Sequence, residues 1–218
     1  VSLHLGNTRN QKIMIMEPFA PKPVDNCYHI FSDGTRLVVL CDTDDDYIYM
    51  MNQIAVAAYF CHVKVLALEV MRTHFHLVAR GDPDMIDKCR RELKRLIVRR
   101  YNRDGLGELV KNSIDIRVDR ILDDEELRRK IIYVFRNCTE AGYSLLPENY
   151  PWGPGRIFFQ QYEPALYRHR VGNLSYREQC RLFHTRIKLP EEWEYDGKGM
   201  LIPRSYIDKE YIYSEVLS

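Results

Sequence analysis

The chain has 218 residues, 45% of them hydrophobic, which is enough for one sizeable core. Its 32 basic and 31 acidic residues give a formal net charge of +1, so the overall charge neither requires nor excludes a nucleic-acid partner. No apolar stretch is long enough for a signal peptide or a membrane span, and the six cysteines form no C-x-x-C pair. These features predict a soluble globular protein with free thiols in a reducing, cytoplasmic setting.

The N-terminal part is predicted to be an arm followed by a β-hairpin. Residues 1–26 show little periodicity and end in three prolines, which indicates an arm. Residues 28–31 and 36–40 have strand composition and flank a turn sequence, so they predict two hairpin strands. The acidic residues at 42–46 can cap a helix, which the apolar spacing places at 47–61.

Two strands and the strongest predicted helix follow. Residues 63–71 and 75–79 have the composition of strands, and residues 83–103 have an apolar stripe at helical spacing. Eight Lys and Arg side chains surround that stripe, and Glu92 is the only acid among residues 88–103. This density of cations favours contact with phosphates over a merely solvated surface.

The remaining pattern completes an α+β fold. The glycines at 105 and 107 close the basic helix, residues 113–118 alternate as a strand, and residues 124–136 predict a helix. The order β-β-α-β-β-α-β-α predicts an antiparallel sheet with helices packed on one face, related to the ferredoxin-like layout. The composition changes beyond Pro147, so we predict a domain at residues 27–155 and a C-terminal extension at residues 156–218.

The motif His74-Phe75-His76 is the strongest candidate for chemistry. Side chains at i and i+2 of a strand point the same way, so two imidazoles can share one divalent ion. Tyr133 and Asn137 lie four residues apart in the last predicted helix and share one of its faces. If that helix lies against the histidines, Asn137 can add a third ligand and Tyr133 can act as a nucleophile in phosphoryl transfer.

Each of these residues also has an ordinary structural explanation. An isolated His-x-His in a strand more often holds two histidines with other partners, and most of the 15 tyrosines must be structural. Tyr101 in the basic helix and Tyr143 just beyond the last helix are rival nucleophiles. The four-residue spacing between Tyr133 and Asn137 singles out Tyr133.

Several segments resemble one protein family. His74-Phe75-His76 resembles the His-hydrophobic-His motif of the HUH endonucleases, and residues 70–78 are similar to the segment hMPNHhHhh of their single-tyrosine transposases. Residues 133–142 resemble the motif YIhxNPvkAG, residues 148–153 resemble peDYPWSS, and residues 28–30 resemble an opening YHV strand. The matches occur in the right order, and together they resemble the REP-associated tyrosine transposases. The chain departs from the pattern at Arg72-Thr73, which replaces Pro-Asn, and at Cys138, which replaces Pro.

The resemblance implies an HUH (RRM-like) core and a set of functional residues. It implies that His74, His76 and Asn137 bind Mg²⁺ or Mn²⁺ and that Tyr133 attacks single-stranded, hairpin-bearing DNA to form a 5′-phosphotyrosine. It further implies a homodimer, DNA strand transfer and a cytoplasmic, nucleoid-associated protein without a membrane partner. The basic side chains expected to contact DNA are Arg72, Arg80, Lys88, Arg91, Lys94, Arg95 and Arg99.

Two other functions compete with this one. The same fold could bind structured DNA or RNA without catalysis, or residues 156–218 could recruit a protein partner. Pure binding places no demand on the set of His74, His76, Tyr133 and Asn137, so their presence favours the enzyme.

Overall fold

A computed structural model describes residues 21–33, 39–159 and 168–215. The first part contains a four-stranded sheet and its helices: β1 (Pro23–Ser32), α1 (Asp44–Phe60), β2 (Lys64–Val70), β3 (Phe75–Arg80), α2 (Pro83–Asn102), α3 (Gly107–Ser113), β4 (Ile116–Asp123) and α4 (Asp124–Glu140). The elements that follow are shorter: α5 (Gly155–Phe159), β5 (His169–Arg170), α6 (Tyr176–Leu182), β6 (Glu194–Tyr195) and α7 (Lys209–Glu215).

The sheet confirms the predicted α+β class and the ferredoxin-like layout. Its strand order is β2-β3-β1-β4, and every neighbouring pair is antiparallel. Along the chain the core elements follow the order βαββαβ, with α3 added before β4. β1 and β3 lie at the centre, where Phe31 pairs with His76 and Ile30 pairs with Leu77.

The predicted hairpin between residues 28–31 and 36–40 is wrong. β1 pairs with β3 along one edge and with β4 along the other, so neither edge is available to a strand at 36–40. Residues 34–38 lie outside the described residues, and Val39 and Leu40 do not belong to a strand. Instead, the backbone N–H groups of Leu40 and Cys41 donate to the carbonyl oxygen of Arg72, at 2.8 and 3.0 Å. The segment therefore supports the loop that leads into the histidine motif.

Helices pack on both faces of the sheet, which corrects the prediction of helices on one face. Side chains alternate along β3, so His76 and Val78 point to one face, and Phe75 and Leu77 point to the other. α4 covers the first face, where Tyr133 contacts His76. The second face is buried, and α1 and α2, which contact each other and the sheet, cover it. The histidines and α2 therefore lie on opposite sides of the sheet.

The helix starts follow from local sequence. Thr43 and Asp46 form a capping box at the start of α1, Pro83 occupies the first turn of α2, and the Asp123 side chain caps α4. The sequence pattern does not predict α3, because Gly107 there indicates the end of a helix. It is instead the first residue of the next one, where a Cβ would overlap the Asn102 side chain.

The C-terminal segment packs against α1. Val56 of α1 shares a buried cluster with Phe183 and Trp193, and the amide of Asn52 bonds two backbone groups of residues 199–201. The proposed division at residue 156 stays a prediction. Residues 1–20 of the predicted arm lie outside the described residues, while its last residues belong to β1. Among the described helices, none is both long and apolar enough to cross a bilayer.

Candidate active site

The structure brings the four predicted site residues together. His76 lies in β3, His74 lies in the loop before it, and their ring centroids are 5.0 Å apart. Asn137 Nδ2 of α4 is 3.3 Å from His74 Nε2, and the Tyr133 hydroxyl is 3.5 Å from His76 Nε2. Because the two α4 residues are one helical turn apart, one side of α4 faces both imidazoles.

Both histidines have the same orientation. Their Nε2 atoms face α4, while their Nδ1 atoms contact other side chains. His74 Nδ1 is 3.0 Å from Thr73 Oγ1, and His76 Nδ1 is 3.1 Å from His29 Nε2. Metal-binding histidines are usually fixed in this way, with one ring nitrogen on the metal and the other held by a neighbouring group. The geometry therefore leaves the two Nε2 atoms as the pair that could face a metal ion.

His29 is a site residue that sequence reasoning missed, although it lies in the segment resembling YHV. It occupies β1, is 3% exposed, and stacks on Phe31 and on His76. A metal ion on His76 Nε2 requires that ring to carry its proton on Nδ1. His29 Nε2 is the acceptor that can hold the proton there, so His29 is placed to position the His76 ring.

All three imidazoles are kept neutral. Burial lowers the pKa of His76 to about 3, and its neighbours His29, His74 and Lys130 disfavour a proton on that ring further. Burial is also the main reason why the pKa of His29 falls to about 4 and that of His74 lies below its usual value. Neutral imidazoles have the lone pairs that a divalent cation needs, so no proton must be displaced for binding near pH 7.

Replacing His29 with Phe is expected to weaken Mn²⁺ binding by about 10- to 100-fold, since a partner that orients a ligand is lost. His29→Gln, which keeps an acceptor, should recover part of the affinity. Isothermal titration of the folded variants with Mn²⁺ measures the effect, and Asn112→Ala, an exposed change in α3, is the control. Wild-type affinity in His29→Phe would show that His29 does not position His76.

Among the described residues, no three His, Cys, Asp or Glu side chains converge on a point where they could hold a metal ion. A three-ligand site therefore needs the amide of Asn137 beside His74 and His76. The amide is 9% exposed and lies next to His74, and turning it about its last side-chain bond exchanges the nitrogen for the oxygen. The amide oxygen is a donor that suits Mg²⁺ or Mn²⁺, and a first-row divalent ion such as Mn²⁺ also accepts imidazole nitrogens. The residues therefore fit the implied ion, Mn²⁺ better than Mg²⁺.

Glu69 is a second residue that sequence reasoning missed. It lies in β2 opposite His76, is 2% exposed, and its Oε2 accepts a hydrogen bond from the Cys138 backbone N–H at 2.9 Å. Gly153 packs so closely that a Cβ there would lie 3.2 Å from the carboxyl group. The bond joins β2 to the turn of α4 that carries Asn137, so Glu69 fixes that helix over the histidines. Burial raises the pKa of Glu69 to about 7.

The basic helix lies behind the sheet. Several of its cations already have partners: the Phe60 ring for Lys88, Asp87 for Arg91, Glu92 for Arg95, and the His184 carbonyl for Arg99. The expectation of cations without acidic partners is therefore wrong for Arg91 and Arg95. Lys94 forms no ion pair with the residues described here. DNA contact by α2 stays a prediction, and it would occur on the face opposite the histidines.

The two predicted cations beside the histidine strand also have contacts. Arg72 forms an exposed ion pair with Asp42 at 2.8 Å. The Arg80 guanidinium lies 4.4 Å from the centre of the Tyr211 ring, at the far end of β3. Arg72 lies near the candidate site and Arg80 does not, so only Arg72 is placed to hold a strand bound at the histidines.

The rival tyrosines differ in their surroundings. The Tyr101 hydroxyl donates to the carbonyl oxygens of Val39 and Leu40, at 2.7 and 2.6 Å, which indicates a structural role. Tyr143 is half exposed and lies near Tyr150. Only Tyr133 among these three contacts a histidine of the motif.

No protein-family model matches the chain, and no curated protein matches it. A structure of the REP-associated tyrosine transposase bound to a REP hairpin aligns with a TM-score of 0.46 and 16% identity, covering 68% of this chain and 89% of that chain. A crystal structure of a candidate transposase from Deinococcus radiodurans aligns with a TM-score of 0.37 and 20% identity, covering 57% of this chain and 97% of that chain.

Proposed function

We propose that this protein cleaves single-stranded, hairpin-bearing DNA and transfers the strand through a 5′-phosphotyrosine on Tyr133, with Mg²⁺ or Mn²⁺ at His74, His76 and Asn137. One observation carries the proposal. The two imidazoles present their Nε2 atoms to Asn137 and Tyr133 on one turn of α4, while Thr73 and His29 occupy the Nδ1 atoms. The sequence resemblance supports the same roles, and a homodimer stays a prediction from that resemblance.

In this proposal some residues bind the divalent ion and Tyr133 attacks the phosphate. A divalent ion at this site would polarise the scissile phosphate and stabilise the leaving 3′-oxygen. Tyr133 is 41% exposed, so a DNA strand can reach its hydroxyl. Burial raises the pKa of that phenol, which therefore keeps its proton at neutral pH until it reacts.

The proposed step breaks one bond and forms one. The phenol oxygen of Tyr133 attacks the phosphorus and loses its proton to solvent as the bond to phosphorus forms. The bond between phosphorus and the 3′-oxygen breaks, and that oxygen takes up a proton to give a free 3′-hydroxyl. Attack by the 3′-hydroxyl of another strand reverses the step and completes strand transfer.

Cleavage of a hairpin-bearing oligonucleotide labelled at both ends tests the proposal. With Mg²⁺ or Mn²⁺ we expect one fragment with a free 3′-hydroxyl and one covalently bound to protein, and neither in EDTA. His74→Ala, His76→Ala and Asn137→Ala should each lower the rate by about 100-fold or more, because each removes part of the metal site. Asn112→Ala, an exposed change in α3, should cleave like the wild type.

Two results would contradict the proposal. Equal cleavage by His76→Ala and the wild type would show that the histidines do not hold the ion. DNA binding that survives EDTA, with no cleavage of any single-stranded or hairpin substrate, would identify the protein as a non-catalytic nucleic-acid-binding protein.

A further inference from the structure

A basic cleft lies on the side of the sheet away from the histidines. It runs between α2 and residues 180–187 of the C-terminal segment, with a cavity volume of about 870 Å³. A second cavity of about 420 Å³ adjoins it and shares Arg103, Arg181 and His184 with the first. Neither cavity includes a residue of the histidine site. We call the two cavities together the α2 cleft.

The α2 cleft has an excess of arginines. Arg103, Arg181 and Arg186 are exposed and form no ion pair with any residue that the structure describes. The acids that line the cleft are Glu92, which is paired with Arg95, and Asp45. The three guanidinium groups thus face solvent without an ion pair, although the pKa of Glu178, on the same helix as Arg181, is lowered by hydrogen bonds from Ser175 and further by the charge of Arg181. Asp45 is the one carboxylate without an ion pair among the described residues that line the cleft.

The surroundings of His184 indicate a positive electrostatic potential in the cleft. His184 lines both cavities and has a left-handed backbone conformation (φ of 51°), and its ring packs near Tyr49. Burial lowers the pKa of His184, and the charges of Arg103, Arg99 and Arg100 lower it further. Cations at the C-terminal end of α2 therefore act on a ring of the C-terminal segment, although the two are about 80 residues apart in sequence.

The shape of the cleft favours an extended phosphate ligand over a single ion. Arginines occur along both adjoining cavities, and guanidinium groups bind phosphate oxygens in a two-pronged geometry. The Phe60 ring, 40% exposed, lines the same cleft, and the Lys88 ammonium lies 4.5 Å from the centre of that ring, so an aromatic side chain and a further cation adjoin the arginines. A row of cations beside an exposed aromatic ring is typical of a groove for a nucleic-acid strand.

We propose that the α2 cleft binds the phosphodiester backbone of a nucleic-acid strand through Arg103, Arg181 and Arg186. The C-terminal segment completes this site, since it supplies two of the three arginines. The site lies on the opposite face of the sheet from Tyr133, so it requires neither the metal nor the cleavage step. It also gives residues 180–187 a role that the sequence motifs do not assign.

Salt-dependent DNA binding by the full-length protein tests this proposal. Fluorescence anisotropy with a labelled, mixed-sequence single strand in EDTA gives the apparent Kd at several salt concentrations. For Arg103→Ala/Arg181→Ala we expect binding weakened by about tenfold and a log–log salt slope smaller by about 1.4, because two phosphate contacts are lost from a single strand. Lys188→Ala, an exposed cation of the same segment outside the cleft, should bind like the wild type.

The outcomes separate this site from the proposed catalytic site. His74→Ala/His76→Ala should keep the wild-type salt slope while losing cleavage. If the wild-type protein does not cleave DNA, but Arg103→Ala/Arg181→Ala still has a smaller salt slope than the wild type, the proposed function is contradicted and the proposed DNA site in the α2 cleft is not. Equal salt slopes in Arg103→Ala/Arg181→Ala and Lys188→Ala would contradict the proposal that the α2 cleft binds a nucleic-acid strand. Competition by a nucleoside triphosphate at equal phosphate concentration, as strong as that of unlabelled DNA, would also overturn it in favour of a small-nucleotide site.

Discussion

Replacing Tyr133 with Phe is expected to abolish the covalent adduct and to lower the single-turnover rate of DNA cleavage by about 10³-fold or more, because the nucleophile is lost. The change removes only the hydroxyl, whose one histidine contact is long, at 3.5 Å. The metal ligands and Glu69 stay in place. We therefore expect the affinity for DNA to be unchanged and the free energy of unfolding to change by less than about 0.5 kcal/mol.

Tyr143→Phe is the matched control, since Tyr143 is also exposed and lies three residues beyond the end of α4. It should cleave at the wild-type rate and form the adduct. The opposite pattern, with cleavage intact in Tyr133→Phe and lost in Tyr143→Phe, would show that the nucleophile is Tyr143 and not Tyr133.

Replacing Glu69 with Gln is expected to change how stability depends on pH. Burial raises the folded-state pKa of Glu69 from the ordinary 4.5 to about 7. Between these values the folded protein binds a proton that the unfolded chain has released, so the contribution of Glu69 to stability falls as pH rises. That contribution is present below pH 4.5 and is lost by pH 7, a change of about 3 kcal/mol.

The comparison must be made between the two metal-free proteins. The buried histidines have lowered pKa values, so their contribution to stability rises with pH up to about 6.5 and opposes that of Glu69. Subtracting the unfolding free energy of the wild type from that of Glu69→Gln cancels the contribution of the histidines, which is the same in both proteins.

Urea unfolding in EDTA at several pH values gives this difference. We expect Glu69→Gln to gain about 3 kcal/mol relative to the wild type between pH 4.5 and 7, since the amide does not titrate and can still accept the Cys138 bond. Glu108→Gln, an exposed change in α3, should show no such trend. A constant difference across the range would mean that the folded-state pKa of Glu69 is not raised above its value in the unfolded chain.

The sequence pattern was sufficient for elements whose signals are local. The two apolar strands around the histidines, the cap of α1, and the helix beginning at Pro83 lie where the spacing predicts them. Residues 36–40 have the same strand composition, yet β1 has no edge for them because two distant strands occupy both. Strand composition does not determine which strand a segment pairs with, so the sequence alone gives no reason to reject the hairpin between residues 28–31 and 36–40.

The candidate site likewise has features that local sequence predicts and features that depend on how distant elements pack. Spacing alone places Tyr133 and Asn137 on one side of a helix, but their approach to His74 and His76 depends on α4 crossing the sheet. His29 and Glu69 lie in other strands and meet the site only through strand pairing. A glutamate within an otherwise apolar strand was the one signal in the sequence, since an acid at such a position needs a partner. His29 lies in the segment that resembles YHV, but that resemblance assigns it no role.

The central claim is that Tyr133 becomes covalently bound to DNA, and peptide mapping of the adduct tests it most directly. The protein is incubated with the hairpin-bearing strand and Mn²⁺, digested with nuclease and then trypsin, and analysed by mass spectrometry. Cleavage after Lys130 and Arg136 releases residues 131–136, in which Tyr133 is the only tyrosine. We predict a nucleotide phosphate on this peptide and none in EDTA. An adduct on a peptide containing Tyr101 or Tyr143, or no adduct under conditions of complete cleavage, would contradict the claim.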